Sequence, residues 1–328
     1  MSNLERRYLR LLRAYPAGYR RARGAEIVGT YLDLAVPGRR WPSPGDAGDL
    51  LRGGLRQRLR AAGAPDLMPG IRLAAVLAFL TATSLAAAWS VLELRPAPAD
   101  FDVPTAGPFV SLGIGAWIAW LLAAVVHALS PGRWARRAVV LAVLLTLALV
   151  PAAALTGLPR PPLFVLLPQV GLGLVALGLP DRLPTPLRAV PLVAIGSAGL
   201  VAADLSPAIF GVSYYVPTAG QVLPAAAVAL LAVVLLLGAG LALRADQRGG
   251  WAALILLTPV GLLALHPLAG AGDGLPDTYN PGWAALAATA VAVVLVGPTL
   301  LPLALAMRRR RARPTEHARC PTCDARRT

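Results

Sequence analysis

The side chains best suited to chemistry lie near the C-terminus, where one histidine precedes two cysteines. His317, Cys320 and Cys323 have the spacing His-x2-Cys-x2-Cys and offer three ligands of the kind that bind zinc. A structural zinc site needs four such ligands, and the chain contains only 2 cysteines. A redox CxxC pair needs a folded unit around it, which this tail cannot provide. We expect a reduced, disordered tail, with zinc bound only if a second chain completes the site.

Enzyme motifs are missing from the rest of the sequence. No Walker A, GxSxG or HExxH pattern occurs, so we expect neither an enzyme nor a bound cofactor. Charged residues are also missing from the centres of the apolar segments, which argues against a proton-coupled transporter. Gln169 is the most polar residue inside such a segment, and a hydrogen bond between helices accounts for it as well as a ligand does.

Acidic and aromatic residues gather in the segments that we assign to the outer face of a membrane. An aromatic belt at the level of the lipid headgroups is the simpler interpretation. The alternative is an outward-facing pocket for an amphipathic or cationic compound. Its candidate residues are Asp100, Asp102, Asp204, Tyr214, Tyr215, Asp277, Tyr279 and Trp283.

The composition predicts that these residues belong to a polytopic membrane protein. The chain is 56% hydrophobic and 14% charged, whereas soluble domains carry roughly 25% charged residues. A helix needs ~20 apolar residues to cross a bilayer. Eight such spans are predicted, at 72–93, 108–129, 137–156, 162–179, 188–204, 221–243, 251–267 and 283–307.

The arginines predict the orientation of these spans. All 31 basic residues are Arg, and 29 of them fall in segments that the eight spans place on one side. Because basic loops stay in the cytoplasm, both termini are predicted to be cytoplasmic. The high content of Arg, Pro and Gly indicates a GC-rich bacterial genome, so we expect the bacterial cytoplasmic membrane. The net charge of +15 is then a topology signal, and we expect no direct binding of nucleic acid.

A short repeat divides the predicted spans into two halves. The sequence Val-Pro-Thr-Ala-Gly occurs at 103–107 and again at 216–220, and the offset of 113 residues maps spans 1 to 3 onto spans 5 to 7. An even number of spans per unit keeps both copies in the same orientation, which predicts two parallel four-helix repeats. The predicted divisions of the chain are a cytoplasmic module at 1–62, a linker at 63–71, four-span units at 72–179 and 180–307, and a basic tail at 308–328.

The N-terminal module is predicted to contain three amphipathic helices. Ser2 and Glu5 have capping-box spacing and precede an apolar stripe that Pro16 ends. A second helix is expected at 18–34, with Ala22 and Leu34 among its inward residues. The third should start at Ser43, Pro44 and Asp46 and bury an apolar side. That side comprises Leu50, Leu51, Leu55 and Leu59.

The same N-terminal residues resemble a known family. The pattern is a helix, a Pro, a Tyr-Arg pair and then Gly-x-Glu-aliphatic, and it resembles the HTH-associated α-helical signalling (HAAS) or permease-prefix family. The residues that carry it are Leu11-Leu12, Tyr15-Pro16, Tyr19-Arg20, Gly24 and Glu26-Ile27. The segments 38–43 and 50–52 are similar to actinobacterial members. The resemblance covers residues 4–60 and implies association with a cytoplasmic PadR-like transcription regulator.

The whole sequence therefore predicts an all-α, non-enzymatic sensor or anchor in the lipid bilayer that signals to such a regulator. A transporter or permease component for a small amphipathic or lipid-like compound is the alternative, and the sequence leaves a homo-oligomer open. The residues expected to form the partner-binding and core set are Tyr8, Leu11, Leu12, Tyr15, Pro16, Tyr19, Arg20, Glu26 and Tyr31. The sequence does not separate contact residues from core residues within that set.

Overall fold

A computed structural model describes residues 2–36, 39–61, 64, 66–94, 105–209, 214, 221–272 and 281–311. Within these ranges the chain is all-α and has no sheet, as predicted. Its 12 helices are α1 Asn3–Leu11, α2 Ala17–Asp33, α3 Pro44–Ala61, α4 Leu67–Glu93, α5 Gly113–Leu129, α6 Arg133–Thr156, α7 Leu163–Ala176, α8 Thr185–Ile209, α9 Leu223–Ala242, α10 Arg248–Leu263, α11 Leu265–Gly272 and α12 Trp283–Arg311. The chain divides into one compact unit of Met1–Leu67 with Pro302–Thr328, and another of Met68–Leu301.

Helix starts in the N-terminal unit follow the predicted capping chemistry. The Ser2 hydroxyl accepts from the Glu5 amide at 3.0 Å, and the Glu5 carboxylate accepts from the Ser2 amide at 3.1 Å. At α3, the Asp46 amide donates to the Ser43 hydroxyl at 3.0 Å. These reciprocal bonds satisfy amides that have no partner inside the helix, which is why both helices begin there.

The three helices enclose a small aromatic and aliphatic core. Its buried members are Leu4, Tyr8, Leu12, Tyr15, Val28 and Leu50. A 3-10 turn at Leu12–Ala14 separates α1 from α2, so the first helix ends earlier than Pro16 alone predicts. The Arg58 side chain donates to the carbonyls of Arg13 and Ala14, both at 2.5 Å, and thereby satisfies acceptors at the end of this turn.

Two of the predicted inward faces are wrong in part. Ala22 is exposed, and Leu34 is 77% exposed because it lies just past the end of α2. Gly24 and Val28 are the buried residues of that helix. In α3, Leu50 and Leu59 are buried, but Leu51 and Leu55 are about half exposed. The reason is that the buried stripe of α3 runs through Gly54, whose missing side chain lets Ala14 approach.

Each of the eight predicted spans coincides with helical structure, although the helices differ in length. Five helices are long and apolar enough to cross a membrane, namely α4, α6, α8, α9 and α12. α10 and α11 together pass the same test but are bent by 72°. α5 and α7 are apolar but contain only 17 and 14 residues. By length and composition, the described residues therefore supply five to six candidate spans of a multi-pass helical protein.

Prolines and the predicted linker account for the main departures from the expected spans. The bend between α10 and α11 follows from Pro267, which has no amide proton and crowds the carbonyl four residues earlier, at Leu263. α4 begins at Leu67, inside the predicted linker 63–71, because Pro69 is tolerated in the first turn of a helix. The linker is thus shorter than predicted.

Helix α4 is the most enclosed candidate span of the second unit. In its most apolar window 67% of the residues are buried, against 28% or less in the other four long spans. Three indole side chains, those of Trp89, Trp117 and Trp120, are completely buried there. α5 packs along α6, and α9 packs along α10, where Gly238 and Gly249 let the two backbones touch.

Candidate functional sites

A groove on the N-terminal unit lies between α1 and α2, and we call it the α1–α2 groove. It has a volume of about 680 Å³. Its floor is apolar and its rim is charged. The lining residues are Glu5, Leu9, Leu12, Ala17, Arg20, Arg21, Gly24, Ala25, Val28, Gly29 and Leu32. An apolar groove with charged edges is a shape that accepts an amphipathic helix.

One arginine gives this groove a chemical preference. Arg20 lines the groove, and its Nε is buried without a hydrogen-bond partner among the described residues. A buried donor without an acceptor costs free energy, so a ligand that supplies an acceptor is favoured. Arg21 adds a second positive charge at the same place. A carboxylate of a bound partner would meet both requirements.

The structure separates core from surface within the predicted partner-binding set. Tyr8, Leu12 and Tyr15 are at most 8% exposed and belong to the core. Three further residues pack against that core and are partly buried, namely Leu11, Tyr19 and Tyr31. Pro16 precedes α2 and is partly buried, whereas Glu26 is exposed on α2. Of the nine residues in the predicted set, Leu12 and Arg20 line the α1–α2 groove, and only Arg20 is charged.

Tyr8 and Asp46 form a polar pair at the edge of this core. The Tyr8 hydroxyl donates to Asp46 Oδ2 at 2.9 Å. Burial, together with the hydrogen bond to the Asp46 carboxylate, raises the pKa of Tyr8 to about 12. Hydrogen bonds from Ser43 and Tyr8 lower the pKa of Asp46 below its ordinary value. The pair is therefore a neutral phenol bonded to a carboxylate at neutral pH.

A second polar cluster lies at the C-terminal end of α4, and we call it the Glu93 cluster. Glu93 and Ser111 are at most 2% exposed. The Ser111 amide and hydroxyl donate to the Glu93 carboxylate at 2.7 and 2.5 Å. Tyr214 also donates its hydroxyl to Glu93, and it accepts from Trp117 Nε1 at 3.0 Å. Residues from three distant parts of the sequence thus converge on one carboxylate.

The chemistry of the Glu93 cluster is that of a satisfied buried network. Three donors reach the Glu93 carboxylate, so the cost of its burial is offset locally. Gly113 is required at the adjacent position, since a Cβ there would lie 2.7 Å from Glu93 Oε1. The sequence analysis treated Glu93 as the last residue of the predicted span 72–93 and missed this cluster. Its position four residues after Trp89, at the end of an apolar run, is the signal that could have found it.

The predicted outer-face ligand site is described only in part. Asp100, Asp102, Tyr215, Asp277 and Tyr279 lie outside the described residues. Tyr214 is 4% exposed and belongs to the Glu93 cluster, whereas Asp204 is exposed. Trp283 is 76% exposed and borders a small apolar crevice with Phe164 and Leu286. The described members are not brought into one pocket, and the site stays a prediction.

Gln169, the mid-span polar residue that the sequence singled out, bonds to a neighbouring helix through its Nε2, whereas its Oε1 has no hydrogen-bond partner among the described residues. Gln169 is fully buried on α7 and donates from Nε2 to the Ala82 carbonyl at 2.9 Å. This bond between helices is the simpler of the two interpretations that its sequence position allowed. Within the described ranges no group of three His, Cys, Asp or Glu residues could hold a metal. His317, Cys320 and Cys323 lie outside those ranges.

Comparisons of the chain with known proteins found no relative. No family model matches the chain, and no curated protein or solved structure matches it either.

Proposed function

We propose that the chain is a multi-pass membrane sensor or anchor whose N-terminal unit binds a cytoplasmic PadR-like transcription regulator. The proposal joins the HAAS resemblance of residues 4–60 to one structural observation, the α1–α2 groove. The three-helix core is closed by its own side chains, yet this groove stays open beside it. Leu12 and Val28 of the core form part of its floor, and its open side is available to a partner.

The charges of the groove select the kind of segment that fits. Arg20 and Arg21 line it together with one acid, Glu5, whose carboxylate caps α1, and residues 1–62 carry a net charge of +8. The chain's own tail is unsuited, because residues 308–328 contain eight Arg and only two acids. We infer that the occupant is an amphipathic helix of the regulator whose flank carries Asp or Glu.

Filling the groove tests the proposal. Gly29 lines the groove, and a Cβ added there meets no atom within 4 Å, so Gly29→Leu fills space without disturbing the core. Gly48 on α3 is equally free of neighbours and does not line the groove, which makes Gly48→Leu the matched control. The assay is a pull-down of a purified PadR-like regulator from the same genome, with the tagged full-length chain in mild detergent.

The expected result is capture by the wild type and by Gly48→Leu, and loss of capture by Gly29→Leu. Arg20→Gln should weaken capture, whereas Arg23→Gln on the exposed side of α2 should not. No capture by the wild type, combined with unchanged target-gene expression on deletion of the chain, would refute the regulator-binding role.

A transporter or permease component is the second candidate, and the broken span α10–α11 favours it. Discontinuous helices often form binding cavities in transporters. The buried indoles of Trp89, Trp117 and Trp120 argue against a transporter, because they fill the interior beside α4 and α5 where a substrate path would need space. Uptake or efflux of an amphipathic dye by proteoliposomes containing the chain would support the transporter, and a sealed bilayer would oppose it.

A further inference from the structure

A long apolar groove runs along α4, α8 and α9 in the second unit, and we call it the α4–α8–α9 groove. Its volume is about 570 Å³, within the range of sites that hold small molecules. Of its 16 lining residues, 13 are aliphatic and none is charged. The three polar members are Thr81, Ser84 and Gln221. None of the eight residues predicted for the outer-face ligand site lines it.

Small side chains create the space in this groove. α8 contributes Ala198 and Ala202, and α9 contributes Ala225, Ala226 and Ala229. Larger residues at these positions would close the gap against α4, as side chains do in the packed interior beside it. The alanines of α8 and α9 therefore account for the groove, which is open to the surface along its length.

The dimensions of the groove match one leaflet of a membrane. Along α4 it extends from Leu77 to Ala88, which is roughly 16 Å at the rise of an α-helix. Half of the ~30 Å hydrocarbon core of a bilayer is roughly 15 Å. A single hydrocarbon chain that lies parallel to α4 would thus fill the groove from end to end.

The polar groups of the groove are distributed as an amphiphile requires. Gln221 lies immediately before α9, at the end of the groove that Ala88 also marks, and its side chain is exposed. Thr81 donates its hydroxyl to the Leu77 carbonyl at 3.0 Å, so that hydroxyl is satisfied within α4. The opposite end is formed by Leu77, Leu80 and Val233, and Thr81 beside them keeps its hydroxyl bonded within α4. A ligand with a hydrogen-bonding head at Gln221 and a hydrocarbon tail fits this gradient.

We propose that the α4–α8–α9 groove is a specific site for one acyl chain of a membrane phospholipid, with the lipid head beside Gln221. Burial of methylene groups is favourable, but surrounding lipid offers a similar environment. Retention therefore depends on the fit of the chain between three helices. The site is independent of the α1–α2 groove, so either proposal can fail without the other.

The test uses the full-length chain in bilayers of phosphatidylcholine and phosphatidylglycerol that contain a trace of phosphatidylcholine with a diazirine-labelled acyl chain. Photo-adducts are mapped by mass spectrometry, and retained phospholipid per chain is counted after exchange into delipidating detergent. Ala229 lines the groove and is exposed, so Ala229→Phe fills the groove without a clash in the core. Val228 is 67% exposed and lies outside the groove, so Val228→Phe is the matched control.

We expect adducts concentrated in 77–88 and 221–233, and about one retained phospholipid per chain. Ala229→Phe should lower retention by about tenfold, and Ala225→Leu, a second and smaller filling variant, should lower it in the same direction. Val228→Phe should leave it unchanged. Adducts spread over all apolar helices, retention unaffected by both filling variants, retention of free fatty acid in place of phospholipid, or cross-links from the groove to a second copy of the chain would each overturn the proposal.

Discussion

The Tyr8 hydroxyl donates to the Asp46 carboxylate at 2.9 Å and thereby joins α1 to the first turn of α3. The same carboxylate oxygen accepts from the Ser43 amide at 3.1 Å, so one side chain caps α3 and holds a second helix. The two residues are 38 positions apart. The core of this three-helix unit is small, and the contact adds a directional bond between its first and third helices.

Replacing Tyr8 by Phe should destabilise the N-terminal unit while keeping the ring in the core. Loss of one hydrogen bond to a charged acceptor costs ~1.5–3 kcal/mol. The measurement is hydrogen exchange of the amides of residues 2–61 in the full chain at neutral pH. Tyr19→Phe is the control, because Tyr19 is only partly buried against the same core. Equal exchange in the two variants would contradict the importance of the Tyr8–Asp46 bond.

The same pair predicts a change of stability at alkaline pH. Because burial and the Asp46 hydrogen bond raise the pKa of Tyr8 to about 12, from an ordinary value of 10.0, the folded unit holds a proton that the unfolded chain releases. Stability from this group is complete below pH 10 and is lost between pH 10 and 12. Phenolate absorbance at 295 nm, as wild type minus Tyr8→Phe, should titrate near 12, and Asp46→Asn should move it lower. A difference curve centred at 10 in the folded chain would refute the assignment.

Two glycines of α3 should respond in opposite ways to alanine. At Gly54 an added Cβ would lie 2.6 Å from the Ala14 Cβ and 2.7 Å from its backbone carbon, so Gly54→Ala should destabilise the unit by ~1–3 kcal/mol. At Gly48 the Cβ meets nothing within 4 Å, so Gly48→Ala should stabilise it by up to ~1 kcal/mol. Hydrogen exchange of α1 and α3 amides measures both changes. A stabilising Gly54→Ala would show that the 3-10 turn Leu12–Ala14 and α3 are not in close contact.

Removal of the Tyr214 hydroxyl should weaken the second unit. Tyr214→Phe deletes one of the three donors to Glu93 and removes the acceptor of the buried Trp117 Nε1. A buried donor without an acceptor costs ~1–3 kcal/mol. A lower midpoint of thermal unfolding in detergent is the expected result. Ser197→Ala is the control, since Ser197 is exposed and bonds only to the Ala194 carbonyl. Equal midpoints for the two variants would show that the Glu93 cluster is not stabilising.

Local signals in the sequence predicted where helices lie better than which side chains they bury. Ser2 with Glu5 and Ser43 with Asp46 locate two helix starts correctly, because capping depends on residues three apart. The eight apolar stretches are also helical, because the length and composition of each stretch are local properties of the sequence. Leu51 and Leu55 were assigned to the wrong face, because burial in α3 depends on the contact of Gly54 with Ala14, forty residues away.

The candidate sites could not be predicted from the sequence, because they depend on long-range contacts that hydrophobic periodicity does not encode. Tyr8, Leu12 and Tyr15 looked alike as contact or core residues, and only packing assigns them to the core. Glu93 meets Ser111 18 residues later and Tyr214 121 residues later, and no spacing rule links the three. The α4–α8–α9 groove likewise arises from alanines on two helices that the sequence does not mark as neighbours.

The Glu93 cluster also sets an order of events during biosynthesis. A ribosome makes Glu93 and Ser111 long before Tyr214, which is 121 residues further along the chain. Chains grow from the N-terminus at ~5–20 residues per second, so for several seconds the Glu93 carboxylate has only its Ser111 donors and whatever water reaches it. The nascent intermediate therefore needs hydration or a chaperone at this end of α4. A chain truncated before Tyr214 should be a target for membrane proteases even though its first five apolar helices, α4 to α8, are complete.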